Sequence, residues 1–151
     1  MGKEPFVVLL AEDDEHDIVA TKRAWKKHHI ANPLYIVNDG EECLDFLHQR
    51  GKYSEPGVAP WADILLLDIR MPRMDGLAVL KHIREDEQLR RLPVIILTIS
   101  KAEQDRLTSY DLGVNAYIVK PVGFDNFSEA VRTISLFWQL VELPGRDYGA
   151  K

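Results

Sequence analysis

Short runs of branched apolar residues recur along the chain, and each has the length of one β-strand. The third run, Ile-Leu-Leu-Leu at residues 64–67, does not alternate with polar residues, which is typical of a strand buried on both faces. The other runs predict further strands of the same sheet. The five predicted strands cover residues 6–11, 34–37, 64–67, 94–97 and 115–119.

The segments between these runs repeat apolar residues at helical spacing. Helices are predicted over residues 16–28, 41–48, 77–86 and 101–112, and a last helix carries a broad apolar stripe between residues 127 and 141. Strands that alternate with helices indicate an α/β protein with a doubly wound, five-stranded parallel sheet. Right-handed crossovers would place helices on both faces of that sheet.

The first predicted helix is amphipathic. Ile18, Thr21 and Trp25 share one apolar face, so this helix should lie on the sheet. We expect Trp25 to pack against Leu44 and Leu47 of the second helix.

Length and composition bound the class of protein. A chain of 151 residues is expected to form a single domain, with a core over about residues 6–143, a short tail at 144–151 and no output domain. Residues 49–61 predict a long loop.

Cys43 is the only cysteine, which excludes an internal disulfide. No secretion signal or membrane span is recognisable, so a cytoplasmic protein is expected.

The charge balance and the lack of a recognisable membrane span argue against two classes of partner. A net charge of −5 is unfavourable for nucleic-acid binding. The basic residues at 22–23 and 26–27 are interpreted as the solvated face of the first helix, and His16, His28 and His29 as surface residues. We therefore expect no direct contact with nucleic acid or membrane.

Chemically useful side chains stand where the predicted strands end. Glu12 and Asp13 follow the first strand, Asp68 the third, Thr98 the fourth and Lys120 the fifth. Because parallel strands deliver their carboxyl ends to one edge of a sheet, and ligands bind at that edge, these groups should converge. Only the second strand contributes no such group.

The acidic residues allow two interpretations that are compatible. Asp14, Glu15 and Asp17 can cap the first helix, where carboxylates are favoured by the helix dipole. Glu12 and Asp13 then remain for a cation, since clustered carboxylates repel one another without one. Oxygen ligands without His or Cys suit Mg²⁺.

The converging groups are those needed for phosphoryl transfer to a carboxylate. An Asp beside Mg²⁺ can attack phosphorus and become an acyl phosphate. Mg²⁺ held by Asp13 and Asp68, the Lys120 ammonium, and the Thr98 hydroxyl with nearby backbone amides would neutralise the equatorial oxygens. One site would use every one of these groups.

Four sequence blocks resemble the receiver domain of two-component response regulators, and together they span nearly the whole chain. They are Leu-Ala-Glu-Asp-Asp at 10–14, Leu-Leu-Asp-Ile-Arg-Met-Pro-Arg-Met-Asp-Gly at 66–76, Pro-Val-Ile-Ile-Leu-Thr at 93–98 and Tyr-Ile-Val-Lys-Pro at 117–121. The resemblance implies a flavodoxin-like receiver fold with strand order 2-1-3-4-5. It also implies a phosphoacceptor signalling protein rather than an enzyme, acting only in its own phosphorylation and dephosphorylation.

Carried over residue by residue, the resemblance makes Asp68 the phosphoacceptor. It assigns Mg²⁺ to Asp13, Asp68 and the backbone carbonyl of Arg70, with Glu12 acting through water. The donor implied for the phosphoryl group is the phosphohistidine of a sensor histidine kinase.

The same resemblance assigns the residues that respond to phosphorylation. Thr98 becomes the switch hydroxyl, Tyr117 the switch aromatic residue and Lys120 the phosphate clamp. The peptide bond between Lys120 and Pro121 would be cis by the family pattern, although trans is the default for the sequence alone. The signal would leave through a surface of the domain, toward a protein partner or a further phosphotransfer step.

The loop before the third strand and the apolar stretch at 135–144 are similar to small stand-alone regulators that partner bacterial phytochrome kinases. Phe137 and Trp138 lie on the apolar stripe of the last helix, whereas Leu140 falls outside it. A helix that is apolar over more than one face needs a second surface. It is either an embedded core helix or, as we favour, a homodimer contact.

Two residues depart from or extend the family pattern. Ile99 stands where receivers usually have a small residue, so small phosphodonors should label the chain more slowly than an Ile99→Ala variant. Arg70 lies two residues after the acceptor, where its side chain either reaches the phosphoryl group or lies in solvent.

Two other classes of function remain open for the sequence. An Asp-nucleophile phosphatase would turn over phosphate esters and usually has a second acid where this chain has Arg70. A phosphate-independent binding module of receiver fold would not be labelled by any donor. Addition of a phosphodonor separates the three, by stoichiometric labelling, turnover or no reaction.

Overall fold

The computed structural model describes residues 6–27, 29–98, 101–108 and 110–119. The last predicted helix and the tail lie outside this part of the chain. The strands are β1 (Val8–Ala11), β2 (Leu34–Val37), β3 (Ile64–Asp68), β4 (Val94–Thr98) and β5 (Ala116–Val119). They form one parallel sheet in the order β2-β1-β3-β4-β5, which confirms the predicted fold class and strand order.

Four α-helices connect these strands within the described residues. They are α1 (Glu15–Lys27), α2 (Gly40–His48), α3 (Gly76–Glu85) and α4 (Lys101–Thr108), and a short 3₁₀ turn covers Gly51–Tyr53. Helix α4 is shorter than the helix predicted over residues 101–112. The backbone of Asp111 has a positive φ of 53°, which ends any helical continuation.

Carboxylates cap the helices that begin near the carboxyl ends of the strands. Asp14 Oδ1 accepts hydrogen bonds from the backbone N–H groups of His16 and Asp17 at 2.8 and 3.2 Å. Asp39 and Asp75 accept one each at the starts of α2 and α3. The predicted capping by Asp14 is thus confirmed, and Glu12 and Asp13 are not used for it.

The core has two clusters, one on each face of the sheet. Trp25 of α1 belongs to the cluster with Leu10 and Leu66, whereas Leu44 and Leu47 of α2 belong to the opposite cluster. The predicted packing of Trp25 against α2 is therefore wrong. The chain crosses from β1 outward to β2 and then back to β3, and right-handed crossovers in opposite directions place α1 and α2 on opposite faces.

The central strand β3 is fully buried, as its sequence predicts. Ala11 of β1 is in register with Leu67 of β3. The next residues, Glu12 and Asp68, therefore leave the sheet side by side. Asp68 is in turn in register with Leu97 of β4, one residue before Thr98.

The loop that follows α2 is anchored to the rest of the domain. The Gln49 side chain donates a hydrogen bond to the Ala59 carbonyl at 2.7 Å, and the Tyr53 hydroxyl donates one to Glu42 at 2.5 Å. Tyr53 and Trp61 pack against the core. Among the described residues, no helix has the length and apolar character that crossing a membrane requires.

Candidate functional site

Three carboxylates meet at the edge of the sheet where β1 and β3 end. Glu12 and Asp68 are 1% and 3% exposed, and Asp13 is exposed. One oxygen from each side chain lies within 4.8 Å of the other two. The predicted convergence of these acids at one edge is present in the structure.

Local hydrogen bonds hold the two buried acids in place. Glu12 Oε2 accepts the N–H of Asp14 at 3.1 Å, and the side-chain amide of Asn38 donates to the Glu12 carbonyl at 3.3 Å. Asp68 Oδ1 accepts the N–H of Arg70 at 3.3 Å. Each carboxylate is therefore oriented by the chain that immediately follows it.

The turn between β3 and α3 closes tightly on the end of the strand. The Gly76 N–H donates to the Ile69 carbonyl at 2.9 Å. A Cβ at Gly76 would lie 2.4 Å from the Asp68 carbonyl oxygen, and one at Gly40 would lie 2.1 Å from the Met74 carbonyl oxygen. Both glycines are needed because two pieces of backbone approach too closely for a side chain.

Arg70 does not lie free in solvent. Its Nε donates to Glu103 Oε2 of α4 at 3.2 Å, and the side chains of Arg70 and Glu103 are 65% and 7% exposed. The pair therefore joins the loop after the central strand to α4. Sequence analysis missed Glu103, although its position one helical turn before the buried Leu107 marks it as inward-facing.

The predicted switch residues lie only partly within the described chain. Thr98 is the last residue of β4, at the same edge as the acids. Tyr117 of β5 is half-buried, and its hydroxyl lies 3.3 Å from the Thr108 hydroxyl at the end of α4. The other candidates lie outside the described residues: Ile99, Lys120, Pro121, Phe137, Trp138 and Leu140.

The donor set at this edge fits a hard divalent cation. Glu12, Asp13 and Asp68 offer only oxygen atoms, and two of the three carboxylates are buried. Mg²⁺ is bound in proteins by one or two carboxylates with carbonyl and water oxygens. Carboxylates so close together also favour a cation between them, because their charges otherwise repel.

Burial removes the single cysteine from the available chemistry. Cys43 is fully buried, and this burial raises the pKa of its thiol far above the usual range. The thiol therefore stays protonated and unreactive.

Comparison with known proteins adds a family and several relatives. The family model described as "Response regulator receiver domain" matches residues 8–132. The response regulator Rcp1 of Synechocystis sp. is 36% identical over 141 residues, which is 93% of this chain and 94% of Rcp1. The similarity therefore extends over nearly the full length of both proteins.

Solved structures give the same picture. The bacteriophytochrome response regulator RtBRR is 37% identical, with a TM-score of 0.82 over 97% of this chain and 88% of its own. A Mn²⁺-bound form of Rcp1 and the phosphorylated cyanobacterial phytochrome response regulator RcpA are each 34% identical. Both have a TM-score of 0.72 over 93% of this chain, with 100% and 99% of their own chains covered.

Proposed function

This chain belongs to the response regulator receiver family of two-component phosphosignalling, and from that premise we propose that Asp68 is its phosphoacceptor. The position of Asp68 is the observation that carries the proposal. It is a buried carboxylate at the end of the central strand, beside two further acids. Receiver domains are signalling proteins rather than classical enzymes, so a stable phosphorylated form, not turnover of a substrate, is the expected product.

In the proposed reaction, an Asp68 carboxylate oxygen attacks the phosphorus of a kinase phosphohistidine. The new O–P bond forms as the P–N bond breaks, and the imidazole of the kinase leaves with the electron pair. The product is an acyl phosphate on Asp68. Since phosphoryl transfer depends mainly on positioning and charge neutralisation, the rigid end of β3 is well suited to hold the nucleophile.

Glu12, Asp13, Asp68 and the Arg70 carbonyl are proposed to hold Mg²⁺, with Glu12 acting through water. The cation would supply neutralisation of negative charge on the phosphoryl oxygens. The oxygen-only donor set supports this assignment. The Mn²⁺-bound structure of the relative Rcp1 supports it independently.

Lys120 and Thr98 are proposed to bind the phosphoryl group after transfer, with Tyr117 as the aromatic residue that follows Thr98. The position of Thr98 at the end of β4 supports its role. A contact that exists only in the phosphorylated form shifts the population toward one conformation. The changed surface would then include α4 and β5, and the signal would pass to a protein partner or a further phosphotransfer step.

The kinase partner is proposed to be a bacteriophytochrome or a related phytochrome kinase. Bacteriophytochrome and phytochrome response regulators among the similar structures support this choice. We propose that the chain acts in the cytoplasm, beside the kinase that would phosphorylate it. We also propose a homodimer, with Phe137, Trp138 and Leu140 as candidate contacts.

The test is phosphate incorporation from purified, autophosphorylated histidine kinases, with phytochrome kinases in the panel. Wild type should take up about one phosphate per chain in the presence of Mg²⁺, and much less after chelation. Asp68→Asn should take up none. Asp111→Asn is the matched control, because Asp111 is exposed and Asn tolerates its left-handed backbone.

Labelling of Asp68→Asn equal to wild type would overturn the assignment of the acceptor. Release of inorganic phosphate over many cycles without accumulation of the phosphorylated chain would contradict a signalling role. The fastest donor identifies the input kinase.

A further inference from the structure

A second group of side chains of the types that ligate metal lies away from Asp68. His48 is the last residue of α2, His82 lies in the last turn of α3, and Asp86 immediately follows α3. In a parallel α/β fold the helices run opposite to the strands, so these helix ends lie at the other edge of the sheet from the acids. Nothing in the phosphorylation chemistry uses these three residues.

The ligand atoms of this group already have the spacing of a small coordination sphere. His48 Nε2 lies 3.1 Å from His82 Nε2, and Asp86 Oδ2 lies 3.5 Å from the first nitrogen and 3.9 Å from the second. The nearest point equidistant from these three atoms lies in their plane, about 2.0 Å from each, which matches zinc–nitrogen and zinc–oxygen bonds of about 2.0–2.2 Å.

We propose that His48, His82 and Asp86 form a transition-metal site that binds one Zn²⁺ or a similar borderline divalent ion. Two imidazoles and a carboxylate suit zinc, whereas Mg²⁺ and Ca²⁺ prefer oxygen ligands alone. Three protein ligands leave a fourth position, which water or an external donor would occupy.

The protein orients the carboxylate independently of the histidines. Asp86 Oδ1 accepts the N–H groups of Gln88 and Leu89 at 2.8 and 3.2 Å, and this leaves Oδ2 facing the two rings. Oriented ligands bind metal more tightly because less freedom is lost on binding.

The imidazoles also converge through the nitrogens that would bind metal. Their rings meet edge to face, at an interplanar angle of 85°, and the facing atoms are Nε2 of both residues. An imidazole ligates metal through a ring nitrogen that carries no proton.

A metal at this position would cross-link two helices whose ligands are 34 residues apart in sequence. It would bind the native chain and not the unfolded one, so Zn²⁺ should raise the temperature of unfolding. This effect is separate from phosphorylation, because the two sites lie at opposite edges of the sheet.

The test uses the full chain, with excess Mg²⁺ present to occupy the acidic site. Zn²⁺ affinity is measured by competition with a chromophoric chelator, and Co²⁺ is added as a spectroscopic probe. Wild type should bind one Zn²⁺ and give the visible absorption of four-coordinate Co²⁺. His82→Ala and Asp86→Asn should each weaken Zn²⁺ binding at least about 100-fold, since loss of even an outer partner costs about 10–100-fold.

Two matched controls separate this site from other binding modes. His29→Asn removes an exposed imidazole at a left-handed position that Asn tolerates, and it should leave Zn²⁺ affinity unchanged. Asp68→Asn should also retain the Zn²⁺ site. Asp86→Asn keeps an Oδ1 acceptor for the turn, so its loss of Zn²⁺ would not be an effect of unfolding.

The proposal is wrong if wild type binds no stoichiometric Zn²⁺ under these conditions, in which case His48 and His82 form only a hydrogen-bonded pair. It is equally wrong if His82→Ala and Asp86→Asn bind Zn²⁺ as tightly as wild type. Loss of binding in Asp68→Asn alone would place the ion in the acidic site instead.

Discussion

Gly76 shows how one missing side chain sets the position of Asp68, the proposed phosphoacceptor. Helix propensity alone favours Ala over Gly at the start of α3 by less than about 1 kcal/mol. Steric repulsion opposes Ala at this position, because a Cβ at Gly76 would lie 2.4 Å from the Asp68 carbonyl oxygen and 2.7 Å from Ile69 Cα. Both neighbours are backbone, so relief requires the end of β3 to move. The cost of this steric clash therefore outweighs the gain in helix propensity.

Gly76→Ala should accordingly lower the free energy of unfolding by about 1–3 kcal/mol, the usual cost of overpacking. Urea denaturation of both proteins at pH 7 measures the difference. An increase in stability would show that propensity dominates and that the turn can open at no cost. Because the displaced backbone belongs to Asp68, slower phosphate incorporation should accompany the loss.

Glu42 is a second residue whose environment has a measurable consequence. Burial alone would raise the pKa of this carboxyl. Glu42 accepts hydrogen bonds from the Tyr53 hydroxyl and the Asn38 N–H, and Lys52 Nζ lies 2.9 Å from its Oε2. Together these contacts outweigh burial and hold the pKa of Glu42 below its ordinary value of 4.5. A carboxyl with a depressed folded-state pKa stabilises the fold above pH 4.5, and this contribution is lost as the pH falls below that value.

Tyr53→Phe should therefore destabilise the protein by about 1.5 kcal/mol at pH 7, the usual value for a hydrogen bond to a charged group. The difference from wild type should shrink at pH 3.5, where more of the Glu42 carboxyl is protonated. Urea denaturation at the two pH values gives both differences. Tyr35→Phe is the control. Because Tyr35 is exposed, loss of its hydroxyl should have no pH-dependent effect on stability.

At the scale of elements, local periodicity predicts where strands and helices lie but not which contacts join them. The stripe on α1 shows that one face is buried, yet it carries no information on which face of the sheet receives it, and the predicted contact of Trp25 with α2 was wrong. The Arg70–Glu103 pair and the His48–His82 pair escaped prediction for the same reason. Their partners are 33 and 34 residues apart in sequence, far beyond a helical turn.

The Arg70–Glu103 pair gives α4 a direct connection to the loop that follows Asp68. Glu103→Gln should weaken this connection, and amide hydrogen exchange across α4 should become about two- to fivefold faster, which corresponds to about 0.5–1 kcal/mol for an ion pair that is partly exposed to solvent. Asp105→Asn is the control on the same helix, because it breaks only the exposed pair with Lys101 at 3.4 Å. Equal exchange in both variants would show that Arg70 does not hold α4.

At the scale of the whole molecule, the parallel sheet brings residues from distant parts of the sequence to one edge. The register of β1 with β3 and of β3 with β4 places Glu12, Asp68 and Thr98 at the carboxyl ends of adjacent strands. This convergence was predictable because strand ends in a parallel sheet share an edge. The apposition of α2 and α3 at the opposite edge was not predictable, since it depends on how two helices pack side by side.

Thr98 is the proposed link between the phosphorylation site and the surface, and its substitution tests that role. Thr98→Ala should still be phosphorylated, because Asp68 and the acids beside it are unchanged. It should lose the conformational response, since the hydroxyl contact to the phosphoryl group exists only in the phosphorylated state. A hydrogen bond to a charged group contributes about 1.5–3 kcal/mol, so the shift in equilibrium should fall at least about tenfold.

The proposed homodimer supplies the readout: sedimentation of wild type and Thr98→Ala, with and without phosphodonor, measures whether self-association changes. Asp68→Asn is the reference for a chain that cannot respond. If phosphorylated Thr98→Ala changes its association as wild type does, the hydroxyl is not the switch. The signal would then reach α4 by another route, and the Arg70–Glu103 connection is the one that the structure provides, because it starts two residues from the acceptor and ends on a buried side chain of that helix.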